Sequence, residues 1–228
     1  RKLSFLGFQI IYRNSLMLFI GIAIGIIVGF ILKGKITNLA ELKLQGFSLI
    51  LLSLAVQLVI LATPLAAWPW LVQNGNLIYM ISMSVLLLGL LYNRQYGWSF
   101  WLIIIGTACN IVVIAQNQGA IPVDLDKLSL ASGETVASIA QKFAEHSELS
   151  YRTPLTAASQ LGWMGDVLYI PLPLFDSNVY SIGDMIISIG LAAFVIKTML
   201  GHFQPKPKKT SSKDSDIETP THTPVPLG

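Results

Sequence analysis

The sequence predicts an all-α membrane protein: a five-helix transmembrane bundle with a small extracytoplasmic cap between helices 4 and 5. Hydrophobic residues make up 53% of the 228 residues and charged residues only 12%, and the mean hydropathy is +0.64. A soluble domain of this length cannot bury so much apolar surface in one core. The apolar residues are also gathered in five runs, each close to the roughly 20 residues that cross a bilayer as a helix.

The five runs occupy residues 15–32, 47–66, 77–92, 98–116 and 182–200. Residues 15–116 thus hold helices 1–4, and residues 181–200 hold helix 5. Residues 1–14 form an interfacial segment that lies along the surface or begins an extended first helix. Residues 117–180 form the external loop or cap, and the polar residues 201–228 form a disordered cytoplasmic tail. Because no small-x-small cleavage site follows the first run, we expect that run to remain as an anchor.

Basic residues beside the runs set the predicted orientation, since cytoplasmic ends of membrane helices carry an excess of Lys and Arg. One side carries Lys33, Lys35, Lys43, Arg94, Lys197, Lys206, Lys208, Lys209 and Lys213. The other side receives the N-terminus and the 117–180 loop, although Arg1, Lys2 and Arg13 oppose this assignment. We therefore expect the N-terminus and the loop outside the cell and the C-terminus in the cytoplasm. Trp68 and Trp70 are expected at the outer interface, and Trp98 and Trp101 at the inner one.

The charge balance also bears on partners. The isoelectric point near 9.0 is compatible with nucleic-acid binding, but the positive charges lie beside apolar runs, where they face anionic headgroups. We expect the lipid bilayer and a protein in the membrane as partners, and no nucleic acid. The single cysteine, Cys109, excludes an intramolecular disulfide. No phosphate-binding loop or HExxH motif occurs, so we expect no cofactor and no metal site. The oligomeric state is left open.

Three segments of the external loop have local signatures. SGETVASIAQKFAEHSEL (132–149) predicts an amphipathic helix, with Ser132 and Glu134 at its start and an apolar face that includes Ile139 and Phe143. QGAIPVD (118–124) and DVLYIPLP (166–173) predict extended chain, because proline excludes them from a helix. The two extended segments are expected to lie side by side.

SIGD at residues 181–184 predicts a capping box for the fifth helix, with Ser181 as N-cap and Asp184 reaching back to its backbone. An acid in the first turn is also favoured by the helix dipole. The alternative is a proton or cation site, because Asp184 is the carboxylate closest to the hydrocarbon.

A candidate polar patch consists of Gln57, Asn110, Asn117 and Asp184. Asn110 and Asn117 are seven residues apart and therefore share one helix face, and Gln57 lies at a similar depth to Asn110, within reach of a hydrogen bond. A carboxamide facing lipid would leave donors and acceptors unmet. The patch is interpreted either as hydrogen bonding between helices, which is favoured, or as a substrate-binding pocket.

Gly21, Gly25 and Gly29 lie on one stripe of the first helix. Their four-residue spacing lets another backbone approach closely. An internal neighbour and a second protomer are both compatible with this stripe.

Several motifs in order resemble one protein family. The first run ends in Gly-Lys and is followed by ITNLAELKL. CNIVVIAQNQGAIPVD then begins within the fourth run, the loop ends in MGDVLYIPLP, and SIGD opens the last helix. Together they resemble a bacterial family of small multi-pass membrane proteins, domain of unknown function 5317, over about residues 15 to 200. The resemblance implies a bacterial inner-membrane location and brings no activity and no functional residues.

Three functions are compatible with this architecture. The favoured one is a non-catalytic accessory, scaffold or interaction protein of the bacterial cytoplasmic membrane, because charged pairs within the membrane, internal repeats and catalytic motifs are lacking. The second is binding or transport of a small neutral solute through the polar patch. The third is a membrane enzyme with a site at the outer mouth, where His146 and Asp166 would meet Asp184.

Overall fold

The computed structural model describes residues 2–62, 69–145, 151–171 and 178–203. The helices in these ranges are α1 (Lys2–Ile31), α2 (Thr37–Ala40), α3 (Phe47–Ala62), α4 (Pro69–Leu91), α5 (Trp98–Gln116), α6 (Leu125–Ser132), α7 (Val136–Glu145) and α8 (Ile182–Met199). The strands are β1 (Ile121–Val123), β2 (Arg152–Pro154), β3 (Asp166–Ile170) and β4 (Asn178–Ser181). Two 3-10 turns cover Arg94–Tyr96 and Gly162–Met164.

Three helices are long and apolar enough to cross a membrane: Asn74–Leu91 in α4, Trp98–Gln116 (α5) and Ile182–Met199 (α8). Two more apolar helical stretches, Met17–Ile31 and Phe47–Ile60, are shorter. The described residues thus hold three membrane-length helices where the sequence predicted five. The bounds of α5 match the predicted fourth run, whereas α1 begins at Lys2 and continues without a break through the predicted interfacial segment.

The long helices pack as a closed ring of neighbours. Helix α8 lies between α1 and α5, α5 contacts α4, and α3 contacts both α4 and α1. Large apolar side chains of α4, α5 and α8 form the core between them: Leu90, Phe100, Ile103, Ile104 and Phe194. These side chains pack α4, α5 and α8 against one another.

Glycines bring α1 and α8 together. A Cβ atom added at Gly21 would lie 2.6 Å from the carbonyl oxygen of Ser188, and one at Gly25 would lie 2.9 Å from that of Ala192. Gly29 faces the side chain of Met199. Among the described residues the glycine stripe therefore contacts an internal neighbour, and α1 and α8 run parallel.

The far end of α8 is closed by the chain that follows α1. The carbonyl of Met199 accepts the backbone N–H of Lys35 at 2.8 Å and the side-chain amide of Asn38 at 2.9 Å. The last carbonyls of a helix have no partner within the helix, so these two donors satisfy the Met199 carbonyl, which would otherwise need water.

The all-α class is wrong, because the loop between α5 and α8 contains a four-stranded mixed sheet with the order β2-β1-β3-β4. Strand β1 is parallel to both neighbours, and β3 and β4 are antiparallel. The predicted neighbourhood of the two proline-flanked segments is confirmed, because β1 pairs with β3 at Val123 and Asp166. These strands are three to five residues long, too short to give a clear period-2 signal.

The predicted amphipathic helix of the loop begins later than expected. Helix α7 starts at Val136, and the Thr135 hydroxyl accepts the backbone N–H of Ser138 at 3.2 Å. Residues 125–132 form the separate helix α6, in which Asp124 is the N-cap. Ser132 therefore ends one helix and does not begin the next, because Gly133 (φ 72°) takes the left-handed conformation that stops α6.

Candidate functional site

The first turn of α8 carries the predicted capping box. The Ser181 hydroxyl accepts the backbone N–H of Asp184 at 3.0 Å, and the Asp184 carboxylate accepts that of Ser181 at 3.3 Å. The capping box is confirmed. It satisfies two backbone donors at the start of the helix, which have no partner within the helix.

Asn110 of α5 is hydrogen-bonded to both residues of this capping box. Its amide nitrogen donates to Asp184 Oδ1 at 2.8 Å, and its carbonyl oxygen accepts the Ser181 hydroxyl at 2.9 Å. The approach is close because Gly106 and Gly183 face each other across the two helices; a Cβ at Gly106 would lie 2.6 Å from the Gly183 carbonyl oxygen. Both ends of the Asn110 carboxamide are therefore engaged by α8.

An ion pair lies in the four-stranded sheet between α5 and α8. Arg152 Nη2 of β2 is 2.6 Å from Asp166 Oδ2 of β3, and the two side chains are only 10% and 4% exposed. Arg152 also donates to the carbonyl of Val179 at 3.3 Å. The guanidinium thus bridges from β2 to β3 and β4, which spans the sheet because β1 lies between β2 and β3.

Burial raises the pKa of Asp166 to about 6, while the Arg152 guanidinium lowers it and the charge of Asp184 raises it further. Burial outweighs the ion pair because removing a carboxylate from water disfavours its charged form.

Tyr151 packs against Tyr79 of α4 with ring centroids 4.8 Å apart. Burial raises the pKa of Tyr151 to about 12, so this phenol is neutral near pH 7.

Asn117, at the end of α5, binds the loop and not the other patch residues. Its amide nitrogen donates to the carbonyls of Val113 and Gln160 at 2.8 and 2.7 Å, and its oxygen accepts the N–H of Gln160 at 3.0 Å. A cavity of about 180 Å³ opens beside it. The lining residues are Asn76, Asn117, Gln118, Ala120, Phe143, Arg152, Thr153 and Pro154.

Gln57 of α3 stays apart from this group. Its Nε2 atom is buried and has no hydrogen-bond partner among the residues that the structure describes, and Asn110 uses its carboxamide on α8 instead. The structure therefore brings together two of the four patch residues, Asn110 and Asp184. Of the two outer-mouth candidates, Asp166 is in the ion pair and His146 lies outside the described residues.

The sequence interpretation missed Arg152. It is the only arginine between residues 117 and 180, a stretch in which acidic residues outnumber basic ones, and that isolation was the available signal. We call Asn110, Arg152, Asp166, Ser181 and Asp184 the junction cluster, because they lie where the cap meets the bundle. Within the described ranges no group of His, Cys, Asp and Glu is arranged to hold a metal ion.

A family model described as "Family of unknown function (DUF5317)" matches residues 41–196 of the chain. The chain belongs to this family. The predicted membership is confirmed, although the matched range begins after α1, whereas the resemblance was expected from about residue 15. The range of the chain that matches DUF5317 thus contains all five residues of the junction cluster. No curated protein and no solved structure matches the chain.

Proposed function

We propose that this DUF5317 protein is a non-catalytic accessory or scaffold protein of the bacterial cytoplasmic membrane, which crosses it five times and holds a rigid cap outside. The observation that carries the proposal is the engagement of polar groups in the junction cluster. The amide nitrogen and the carbonyl oxygen of Asn110 are both hydrogen-bonded, Asp184 completes the capping box of α8, and Asp166 is paired with Arg152. Groups engaged in this way position the cap and leave few donors or acceptors for a substrate.

Helix directions support five crossings. Gly89 of α4 lies against Ile50 of α3, Gly46 lies against Tyr92, and Gly119 lies against Asn76, so α3, α4 and α5 alternate in direction. Gly106 of α5 lies against Gly183 of α8, and Gly190 lies against Ile103, so α5 and α8 are antiparallel. Since α1 and α8 are parallel, all five long helices alternate along the chain. At about 1.5 Å per residue, the 16 residues of α3 extend about 24 Å, so a slightly thinned bilayer accommodates this helix.

Charge supports the cytoplasmic assignment of the end opposite the cap. Lys33, Lys35, Lys43, Arg94 and Lys197 all lie near that end, following α1, preceding α3, following α4 and ending α8. A cluster of basic residues favours retention of that end of the bundle in the cytoplasm. The N-terminus and the cap then lie outside.

Cysteine labelling tests the topology. In a Cys109→Ser background, Leu130→Cys in α6 and Lys43→Cys at the opposite end provide a matched pair, because both positions are exposed. With intact spheroplasts, a membrane-impermeant maleimide should label position 130 and spare position 43 until the cells are lysed. Labelling of position 43 before lysis, or protection of position 130, would refute the arrangement.

Photo-crosslinking in native membranes tests the scaffold role. A photoreactive residue at Leu130, which is 67% exposed, should form one reproducible adduct, and the same group at Ile139, which is 5% exposed, should form none. If neither this site nor other exposed positions of the cap form an adduct, the cap has no stable partner and the scaffold role fails.

The second candidate is binding of a small neutral solute at the outer mouth, and the cavity of about 180 Å³ favours it. Asn76 and Asn117 line this cavity, but their amide groups already donate to backbone carbonyls. A solute would therefore rely on the remaining side chains, such as Gln118. A screen of small polar solutes for a saturable rise in thermal stability, lost in Gln118→Ala, would favour this role over the scaffold.

The third function, a membrane enzyme at the outer mouth, has weaker support. Asp166 and Asp184 are both bound to protein groups and carry no hydrogen bond to each other in the described structure. A general acid or base needs access to its substrate proton, and Asp166 is buried while Asp184 is half-buried and bonded to Asn110 and Ser181.

A further inference from the structure

Trp163 is the most exposed aromatic side chain of the cap within the described residues. It is 64% exposed, although its neighbours Gly162 and Gly165 are buried and Met164 is half-buried. The turn that carries the ring is thus packed into the cap, whereas the ring itself lies on the surface.

The backbone around Trp163 is held in an unusual shape. Leu161 has φ 51°, a left-handed conformation that is unfavourable for a residue with a branched side chain. Close packing fixes the turn, because a Cβ at Gly162 would collide with Leu155 and one at Gly165 would collide with the Pro122 carbonyl. The packed turn therefore holds Trp163 at a fixed place on the surface of the cap.

The height of this turn relative to the bundle identifies the partner. The turn contacts α5, and Gln160, three residues earlier, is bound to Asn117 at the outer end of α5. The 19 residues of α5 extend about 28 Å, close to the hydrocarbon thickness of about 30 Å. The end of α5, and Trp163 beside it, therefore lie at the level of the outer headgroups.

Tryptophan is enriched at that level because its ring is apolar and its N–H is polar. Trp70, 65% exposed in the first turn of α4, lies at the same end of the bundle and was predicted for the outer belt. We propose that Trp163 is an interfacial anchor, which inserts into the headgroup region of the outer leaflet and holds the cap against the membrane. The anchor rests on the proposed topology, with the cap outside.

Tryptophan fluorescence in phosphatidylcholine bilayers tests the anchor. One full-length variant keeps only Trp163, with Trp68, Trp70, Trp98 and Trp101 replaced by Phe; a matched variant keeps only Trp101. Bilayers carry bromine either near the headgroup end of the acyl chains or at their centre. Trp163 should be quenched at least twofold more by the shallow bromine than by the deep one, and only weakly by acrylamide.

Two outcomes separate the anchor from the topology. If Trp101 is quenched by brominated lipid and Trp163 only by acrylamide, the protein is inserted and the anchor is refuted; the ring then faces water, as a protein-docking residue would. If neither is quenched by brominated lipid, the proposed membrane insertion fails as well. Should the four replacements prevent folding, the wild-type spectrum minus that of Trp163→Phe gives the same quenching comparison.

Discussion

The side-chain amide of Asn110 donates to the carboxylate of Asp184 at 2.8 Å, joining α5 to α8 across 74 residues of sequence. The same carboxamide accepts the Ser181 hydroxyl. One side chain therefore connects the bundle to the point where the cap ends and α8 begins.

Asn110→Ala should lower the free energy of unfolding by about 2 kcal/mol, because it leaves the half-buried carboxylate of Asp184 without one of its donors. Gln57→Leu is the matched control, since Gln57 Nε2 has no partner among the described residues and its removal should be neutral or stabilising. Thermal unfolding of both variants in detergent measures the difference. Equal destabilisation by the two changes would contradict the assigned role of Asn110.

Ser181→Ala should lower the free energy of unfolding by about 1 to 2 kcal/mol, because it removes the N-cap oxygen of α8 and the donor to Asn110. Ser99→Ala provides the comparison. Both serines are fully buried, but the Ser99 hydroxyl has no partner among the described residues. The unfolding midpoint should fall only for Ser181→Ala. Similar midpoints for the two variants would count against the N-cap role of Ser181.

Gly183→Ala should disrupt the α5–α8 contact, because the added Cβ would collide with the Asn110 carbonyl oxygen and lie 2.7 Å from that of Gly106. Overpacking of this kind costs roughly 1–3 kcal/mol. Ala115→Ser adds one atom on the exposed face of α5 and should leave the unfolding midpoint within a degree or so of wild type. A stable Gly183→Ala protein would show that the helices can separate freely.

Acidification should stabilise the protein through Asp166. The pKa of this carboxyl is raised in the folded protein from 3.8 to about 6, so the folded state binds the proton more tightly than the unfolded state. Its contribution to stability is therefore fully present below pH 4 and is lost as the pH rises through 6. The difference corresponds to about 3 kcal/mol at most.

Unfolding midpoints measured from pH 4 to pH 7 for wild type and Asp166→Asn would reveal this contribution. The variant removes the titrating group, so its stability should fall less steeply with rising pH than that of wild type. Parallel pH profiles would show that the carboxyl titrates near its ordinary pKa in the folded protein.

Local signals predicted part of this site. Ser181 and Asp184 are three residues apart, so their reciprocal bonds depend only on local backbone geometry, and the capping box followed from the sequence. The bounds of α5 followed in the same way from its apolar residues. Helix α6 was missed, although Asp124 and Gly133 are ordinary start and stop signals, because eight residues give little periodicity.

Long-range partners could not be predicted in the same way. Gln57 and Asn110 were expected at similar depth, but depth does not fix which helices are neighbours: α3 packs on α4 and α1, whereas α5 packs on α4 and α8. Asn110 shares its face with Gly106, and that face packs on α8. The pairing of Arg152 with Asp166 depends on strand order within the sheet, which short proline-flanked strands do not encode locally.

Helix α8 is fastened at both ends: by Asn110 and its own capping box at the cap, and by Lys35 and Asn38 at Met199. Sliding the helix along its axis would break bonds at both ends simultaneously, and its close glycine contacts with α1 and α5 oppose a tilt. A force on the cap would therefore be carried along α8, as along one rod, to the opposite end of the bundle. Spin labels at the two ends of α8 should keep a constant separation when the cap is displaced.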